Sequence, residues 1–193
     1  MKNAIAIILL LITAPSVSYC QKYKKFKVAI GVSLVPVPND YFDIYSGFYL
    51  EPAWRWNDNL ATGLYLSISQ SNSERLAKFL SEQGSLGTAA LTMDRYWKLG
   101  EFRPFYGMMA GVSVHSYMQT IHPGFYEIDG DIYLFPPDYL LFNQRGINLS
   151  PKIGFNYHRI RIQAMYQLIT HGIPDMFTVQ LGLEIGGGRK KQK

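Results

Sequence analysis

The stretch 177-FTVQLGLEIG-186 decides the fold, because every second residue in it is apolar. Strict alternation with a period of two is the pattern of a β-strand whose two faces meet different environments. An apolar file of this length spans about 10 residues, which is what a tilted strand needs to cross the hydrocarbon core of a membrane. The apolar file consists of Phe177, Val179, Leu181, Leu183 and Ile185.

Seven further segments repeat this alternation. Their apolar files hold no acid and, apart from Arg95, no base, whereas the opposite files carry charges of both signs among Gly, Ala and Ser. We therefore predict an all-β fold, an eight-stranded antiparallel up-and-down transmembrane β-barrel. The predicted strands are residues 26–34, 47–56, 60–69, 87–97, 106–115, 147–157, 159–168 and 177–186.

The connections between these strands alternate in length. Tight turns are predicted at residues 57–59, 98–101 and 157–159, and the connections between them are longer. Short turns on one side and long loops on the other are typical of outer-membrane barrels, whose long loops face outward.

Two of the longer connections carry local patterns. Residues 73–83 have the pattern of a short amphipathic helix that ends at Gly84. The longest connection begins at Tyr117 and ends at Arg145, and it is rich in aromatic residues. We expect it either to fold over the barrel mouth or to form a recognition surface.

Residues 1–20 have the pattern of a cleavable export signal. Lys2 is followed by the apolar run 4–12, which is too short to span a bilayer as a helix. Cleavage after Cys20 leaves residues 21–188 for the barrel and 189–193 as a basic C-terminal tail. Cleavage after Ser18 and lipid modification of Cys20 are the alternatives. The predicted location is the bacterial cell outer membrane, after Sec export.

The polar files predict a charge network inside the barrel. Glu51 and Arg55 are four residues apart on one strand and therefore share a face. An eight-stranded barrel is just wide enough for side chains to fill, and a buried charge is costly unless it pairs. We therefore predict that acids and bases from different strands meet in the lumen and plug it. The predicted network is Glu51, Arg55, Asp94, Lys152, Arg161 and Glu184.

Large aromatic residues cluster beside the three short turns. A water-soluble barrel has no reason to keep all three tryptophans at one end, whereas a membrane barrel carries aromatic girdles at its interfaces. This placement predicts that the apolar files face lipid and the polar files face the lumen. The predicted girdle is Trp54, Trp56, Trp97, Phe102 and Tyr157.

Two stretches resemble the bacterial outer-membrane protein β-barrel domain family, the small, porin-like eight-stranded kind. They are 102-FRPFYG-107 leading into 111-GVSV-114, and 149-LSPKIGF-155 followed by a tight turn. The resemblance covers nearly the whole mature chain and implies an outer-membrane barrel that the barrel assembly machinery inserts. The chain departs from the family at its end, where 185-IGGG-188 and a basic tail replace a terminal aromatic residue.

The function predicted from these features is a structural or surface-interaction role without catalysis. Ser113 and His115 share a face, but it is the lumenal one, while the neighbouring Ser116 lies on the opposite face. We expect contact with outer-membrane lipid and a surface partner at the loop from Tyr117 to Arg145. We expect a monomer without nucleic acid, metal or cofactor. The alternatives are a small ion-conducting pore, a lipid-modifying enzyme similar to lipid A deacylases, and a soluble, lipocalin-like binding barrel.

Overall fold

A computed structural model of the chain describes residues 23–36, 44–74, 80–97, 101–121, 124–128, 131–135, 138–170, 173 and 175–187. Side chains are described for these residues except within 72–83 and 119–140. The predicted export signal and the basic tail lie outside the described residues.

Eight strands close into one barrel, in the order β1-β10-β9-β8-β5-β4-β3-β2, and every neighbouring pair is antiparallel. The predicted eight-stranded antiparallel barrel is therefore confirmed. β6 and β7 form a separate two-stranded sheet. The strands are β1 Phe26–Pro36, β2 Ile44–Arg55, β3 Leu60–Glu74, β4 Leu80–Tyr96, β5 Phe102–Ile121, β6 Gly124–Ile128, β7 Asp131–Phe135, β8 Asp138–Tyr157, β9 Ile160–Ile169 and β10 Met176–Gly186.

Within the described part of the chain, no helix is long and apolar enough to cross a membrane.

The barrel wall is apolar outside and polar inside. In β10, Phe177 is 46% exposed, whereas its neighbour Thr178 is 1% exposed, and this alternation continues to Ile185. A water-soluble barrel needs the opposite arrangement, because its apolar faces must leave water. The wall is therefore suited to lipid, and the arrangement is the reverse of the one that a soluble, lipocalin-like barrel requires.

Two of the short turns owe their shape to identifiable residues. The side chain of Asn57 accepts hydrogen bonds from the backbone N–H groups of Asn59 and Leu60, at 2.9 and 2.8 Å. This local bond closes the β2–β3 turn in the manner typical of asparagine. His158 adopts a φ of 52°, in the left-handed region, and reverses the chain between β8 and β9. The predicted turns at 57–59 and 157–159 are confirmed, and residues 98–100 lie outside the described residues.

Four adjacent strands extend beyond the barrel on the side opposite the short turns. β3 pairs with β4 as far as Glu74 and Ser81, whereas β2 pairs with β3 only as far as Ser46 and Gln70. β4, β5 and β8 continue in register beside β3. We call this extension the projecting sheet. It consists of residues 71–74 of β3, 80–84 of β4, 117–121 of β5 and 138–142 of β8.

The projecting sheet corrects two predictions. The amphipathic helix at residues 73–83 is wrong, because Ser73 pairs with Glu82 and continues the β3–β4 ladder. The connection from Tyr117 to Arg145 is largely strand, since β5 continues to Ile121, β8 begins at Asp138, and β6 and β7 lie between them. A local helical pattern is weak evidence for a helix, because pairing with a neighbouring strand can override it.

Candidate functional site

All six predicted lumen charges point into the barrel and lie in its half nearest the short turns. Each is buried, with an exposed fraction between 0% for Arg55 and 4% for Lys152. The alternation of β2, β4, β8, β9 and β10 turns these residues inward, and closure of the barrel brings the five strands together. We call these six residues, together with Lys27 and Arg103, the charged cluster.

The centre of the charged cluster is a group of two acids and two bases. Arg161 Nη2 lies 3.2 Å from Glu51 Oε1 and 2.8 Å from Asp94 Oδ2. Lys152 Nζ lies 3.0 Å from Glu51 Oε1 and 2.8 Å from Asp94 Oδ1. Each acid therefore contacts both bases, so four strands are cross-linked through the lumen.

A second group gathers around Glu184, closer to the short turns. Its carboxylate lies 3.3 Å from Arg55 Nη2, and Asn156 Nδ2 donates a hydrogen bond to it. Arg161 Nη1 lies 3.8 Å from the same carboxylate and joins this group to the central one. Among the described lumen acids, Glu184 contacts the largest number of bases, namely Lys27, Arg55, Arg103 and Arg161.

Two further bases belong to the charged cluster. Lys27 Nζ lies 3.4 Å from Glu184 and 3.6 Å from Asp94. Arg103 Nη2 lies 3.0 Å from Glu184. Lys27 stands on the polar file of β1, and Arg103 shares its face with Gly107. Arg103 lies outside the predicted strand 106–115. Its spacing of four residues from Gly107 is the signal that could have placed it in the lumen.

Two terminal segments cover the charged cluster at the short-turn end. Tyr23 is 2% exposed, and its ring centre lies 5.0 Å from the guanidinium of Arg55 and 4.8 Å from that of Arg103. Its backbone N–H donates to Asp58 Oδ1 at 3.2 Å. Arg55 Nη1 donates to the carbonyl of Gly187 at 2.8 Å. Gly187 has a φ of 58°, a conformation that glycine adopts without strain.

The other half of the lumen is neutral. Its described side chains include no Asp, Glu, Lys or Arg. Asn148 Nδ2 donates to Ser113 Oγ at 2.8 Å and to Gln167 Oε1 at 2.9 Å, and Gln167 Nε2 donates to Thr178 Oγ1 at 2.6 Å. Beyond this layer, towards the projecting sheet, lies an apolar group. It consists of Val35, Tyr45, Leu86, Ile169, Ile173 and Met176.

The residues considered for catalysis bond to other partners. Ser113 Oγ shares a hydrogen bond of 2.9 Å with Thr88 Oγ1 and accepts one from Asn148. His115 Nε2 lies 3.0 Å from the hydroxyl of Tyr45. A serine hydrolase needs the serine hydroxyl to bond to the histidine, and these contacts serve the lumen layer instead. Among the described residues, no group of His, Cys, Asp and Glu could hold a metal ion.

The five predicted girdle residues all lie on the outer face beside the short turns. Trp56 and Trp97 are 64% and 63% exposed. Trp54 has the ammonium group of Lys25 5.8 Å from its ring centre. Phe102 and Tyr157 face each other across the β5–β8 ladder. The side chains are thus placed where an interfacial girdle would lie.

No protein-family model and no curated protein matches the chain. Among solved structures, it is similar to Ail, the attachment invasion locus protein of Yersinia pestis, with a TM-score of 0.55 and 13% identity over 84% of this chain and 99% of that one. It is also similar to the outer membrane protein OprG from Pseudomonas aeruginosa, with a TM-score of 0.48 and 14% identity over 86% of this chain and 98% of that one. The likeness to Ail shows a shared barrel fold and nothing about activity.

Proposed function

We propose that the protein is a monomeric barrel of the bacterial outer membrane that conducts no ions and holds the projecting sheet outside the cell as an interaction surface. The proposal includes insertion by the barrel assembly machinery and cleavage of the export signal. It is supported by the apolar outer wall, by the tryptophans at one end and by the asymmetry between short turns and long strands.

The buried charged cluster supports the absence of conduction. Three acids and five bases contact one another across the inside of the barrel, and none of the eight is more than 4% exposed. A conducting lumen needs a continuous, water-filled path through the barrel. Here the charges meet one another, and Tyr23 covers them at the short-turn end. We therefore interpret the charged cluster as a structural plug.

The projecting sheet supports the interaction role. Residues 138–146 of β8 extend beyond the contacts with β9, which begin where Ile147 bonds to Thr170. At the opposite edge, residues 71–74 of β3 extend beyond the pairing with β2. Strand edges of this kind present backbone N–H and C=O groups to which another chain can add a strand. Leu141, on the β8 edge, is 76% exposed.

Conductance measurements test the plug. The mature chain from Gln21 should migrate differently on a gel before and after heating, and it should give no step conductance in a planar bilayer. The matched variants are Arg161→Ala in the charged cluster and Asn148→Ala in the neutral half. A step conductance of the unmodified protein whose ion selectivity changes only in Arg161→Ala would contradict the plug. A mature chain that stays monomeric in buffer without detergent would contradict the membrane location.

Lipid analysis tests the absence of catalysis. We expect the acylation of lipid A to be the same in cells with and without the protein. A loss of acyl chains that is abolished by Ser113→Ala or His115→Ala would show that the protein is a hydrolase.

A further inference from the structure

Outside the lumen, acidic and basic residues lie mainly at opposite ends of the barrel. Among the described residues, the loop side, including the projecting sheet, carries six acids and one base, Arg145. This side is therefore negatively charged. Its described acids are Glu74, Glu82, Glu127, Asp131, Asp138 and Asp175.

The short-turn end has the opposite charge. Its described bases outside the lumen are Lys24, Lys25, Arg95 and Arg159, which we call the basic rim. The only exposed acid described at this end is Glu101, which lies 3.8 Å from the Nε2 atom of His158. In the sequence, four further bases follow β10 within residues 189–193.

Two residues of the basic rim, Lys25 and Arg95, adjoin the tryptophan-rich sector of the wall. Arg95 points outward from β4, on the same face as Trp97, and its backbone pairs with Leu60 and Tyr106. The ammonium group of Lys25 lies 5.8 Å from the ring centre of Trp54. Long basic side chains reach from an apolar wall to the headgroup layer, where tryptophan rings also settle. Positive charge and interfacial rings therefore lie together at this end.

We propose that the basic rim binds the phosphate groups of anionic phospholipids in the leaflet next to the short turns. The inference rests on the proposed membrane insertion and adds a lipid preference to it. Each Lys or Arg near an anionic surface raises the binding constant for that surface about fivefold. The acids of the loop side repel the same headgroups, so the preference is confined to one end of the barrel.

Spin-labelled lipids measure this preference directly. The mature protein is inserted into phosphatidylcholine vesicles, and the association of spin-labelled phosphatidylglycerol is compared with that of spin-labelled phosphatidylcholine. We expect a ratio above about 5 at low salt, falling towards 1 in a variant with Lys24→Gln, Lys25→Gln, Arg95→Gln and Arg159→Gln. The matched control is Arg145→Gln, a single outward base at the loop side, which should keep the full ratio.

Salt provides a second measurement that needs no variant. Raising the ionic strength from 0.1 to 1 M shortens the screening length from about 10 to about 3 Å, so the ratio of the unmodified protein should fall. The heat-dependent gel shift of each sample reports insertion separately. A protein that fails to insert contradicts the proposed function, whereas one that inserts and binds both labels equally contradicts only the lipid preference.

Two other results would overturn the inference. One is a preference for phosphatidylglycerol that survives the four substitutions in an inserted protein. The other is retention of soluble polyglutamate by the basic rim in the absence of any lipid preference, which would make the partner a soluble polyanion.

Discussion

The two halves of the lumen use the same inward-facing positions in different ways. Near the short turns, acids and bases meet at 2.8 to 3.8 Å and are buried. Towards the projecting sheet, hydroxyl and amide groups form a neutral chain from Ser113 through Asn148 and Gln167 to Thr178. Both halves fill the barrel, but only one of them depends on charge balance.

The difference indicates where the barrel is most sensitive to substitution. Removing one partner of a buried ion pair leaves an uncompensated charge, whereas removing a neutral group leaves a weaker, unsatisfied hydrogen bond. The charged half should therefore be easy to destabilise by single changes. The neutral half should tolerate comparable changes with smaller losses.

Glu184→Ala should give the largest loss, because Glu184 contacts Lys27, Arg55, Arg103 and Arg161. We expect a fall of about 3–5 kcal/mol in the free energy of unfolding. Urea unfolding in vesicles, followed by the gel shift, measures it. Glu184→Gln is the control, since it keeps the volume and removes the charge. An unchanged urea midpoint for Glu184→Ala would falsify the view that these contacts stabilise the barrel.

Arg161→Met should cost less, about 2–3 kcal/mol, because Lys152 still contacts Glu51 and Asp94. The third acid, Glu184, keeps its contacts with Lys27, Arg55 and Arg103. The double variant with Lys152→Met should cost more than the sum of the two single changes, since no central base then remains. Additive losses in the same urea assay would show that the two bases act independently.

Asn148→Ala tests the neutral half. The change removes hydrogen bonds to Ser113 and Gln167, and we expect a loss of about 1–2 kcal/mol. The comparison between the halves fails if this loss equals or exceeds that of Glu184→Ala under the same conditions.

Phe142→Ala should have the smallest effect. The ring of Phe142 stacks on Tyr117 with 4.5 Å between ring centres, in the projecting sheet and outside the barrel proper. A stacked pair of this kind contributes about 1 kcal/mol. We expect the urea midpoint of the barrel to change little, while amide hydrogen exchange in residues 117–121 and 138–142 becomes faster. Unchanged exchange would show that the stacking does not stabilise the projecting sheet.

The sequence predicts the outer wall of the barrel more completely than it predicts the contacts inside the lumen. Alternation identifies the strands, their faces and two of the short turns, because a lipid-facing residue must be apolar at every second position. The same parity turns Glu51, Asp94 and Arg161 inward, but it does not say which of them meet. Arg103 was not predicted, because the apolar Phe105 lies two residues away on the same inward face of β5 and interrupts the alternation.

The projecting sheet was not predicted, for a related reason. Beyond the lipid both faces of a strand meet similar surroundings, so alternation weakens and local patterns dominate. Residues 73–83 then suggested a helix, and the segment from Tyr117 to Arg145 suggested a loop. Only the pairing of Ser73 with Glu82 and of Ile121 with Asp138 identifies them as strands.

The sequence by itself determined the two-faced strands of 177-FTVQLGLEIG-186 and its seven counterparts, since the face of each residue follows from its parity along the strand. The tertiary structure decided which charges become neighbours. Closure of the barrel brings Glu51, Asp94 and Glu184 within contact distance of bases on other strands, up to 157 residues away along the chain. Register and shear set those distances, and they depend on the whole closed sheet rather than on any single strand.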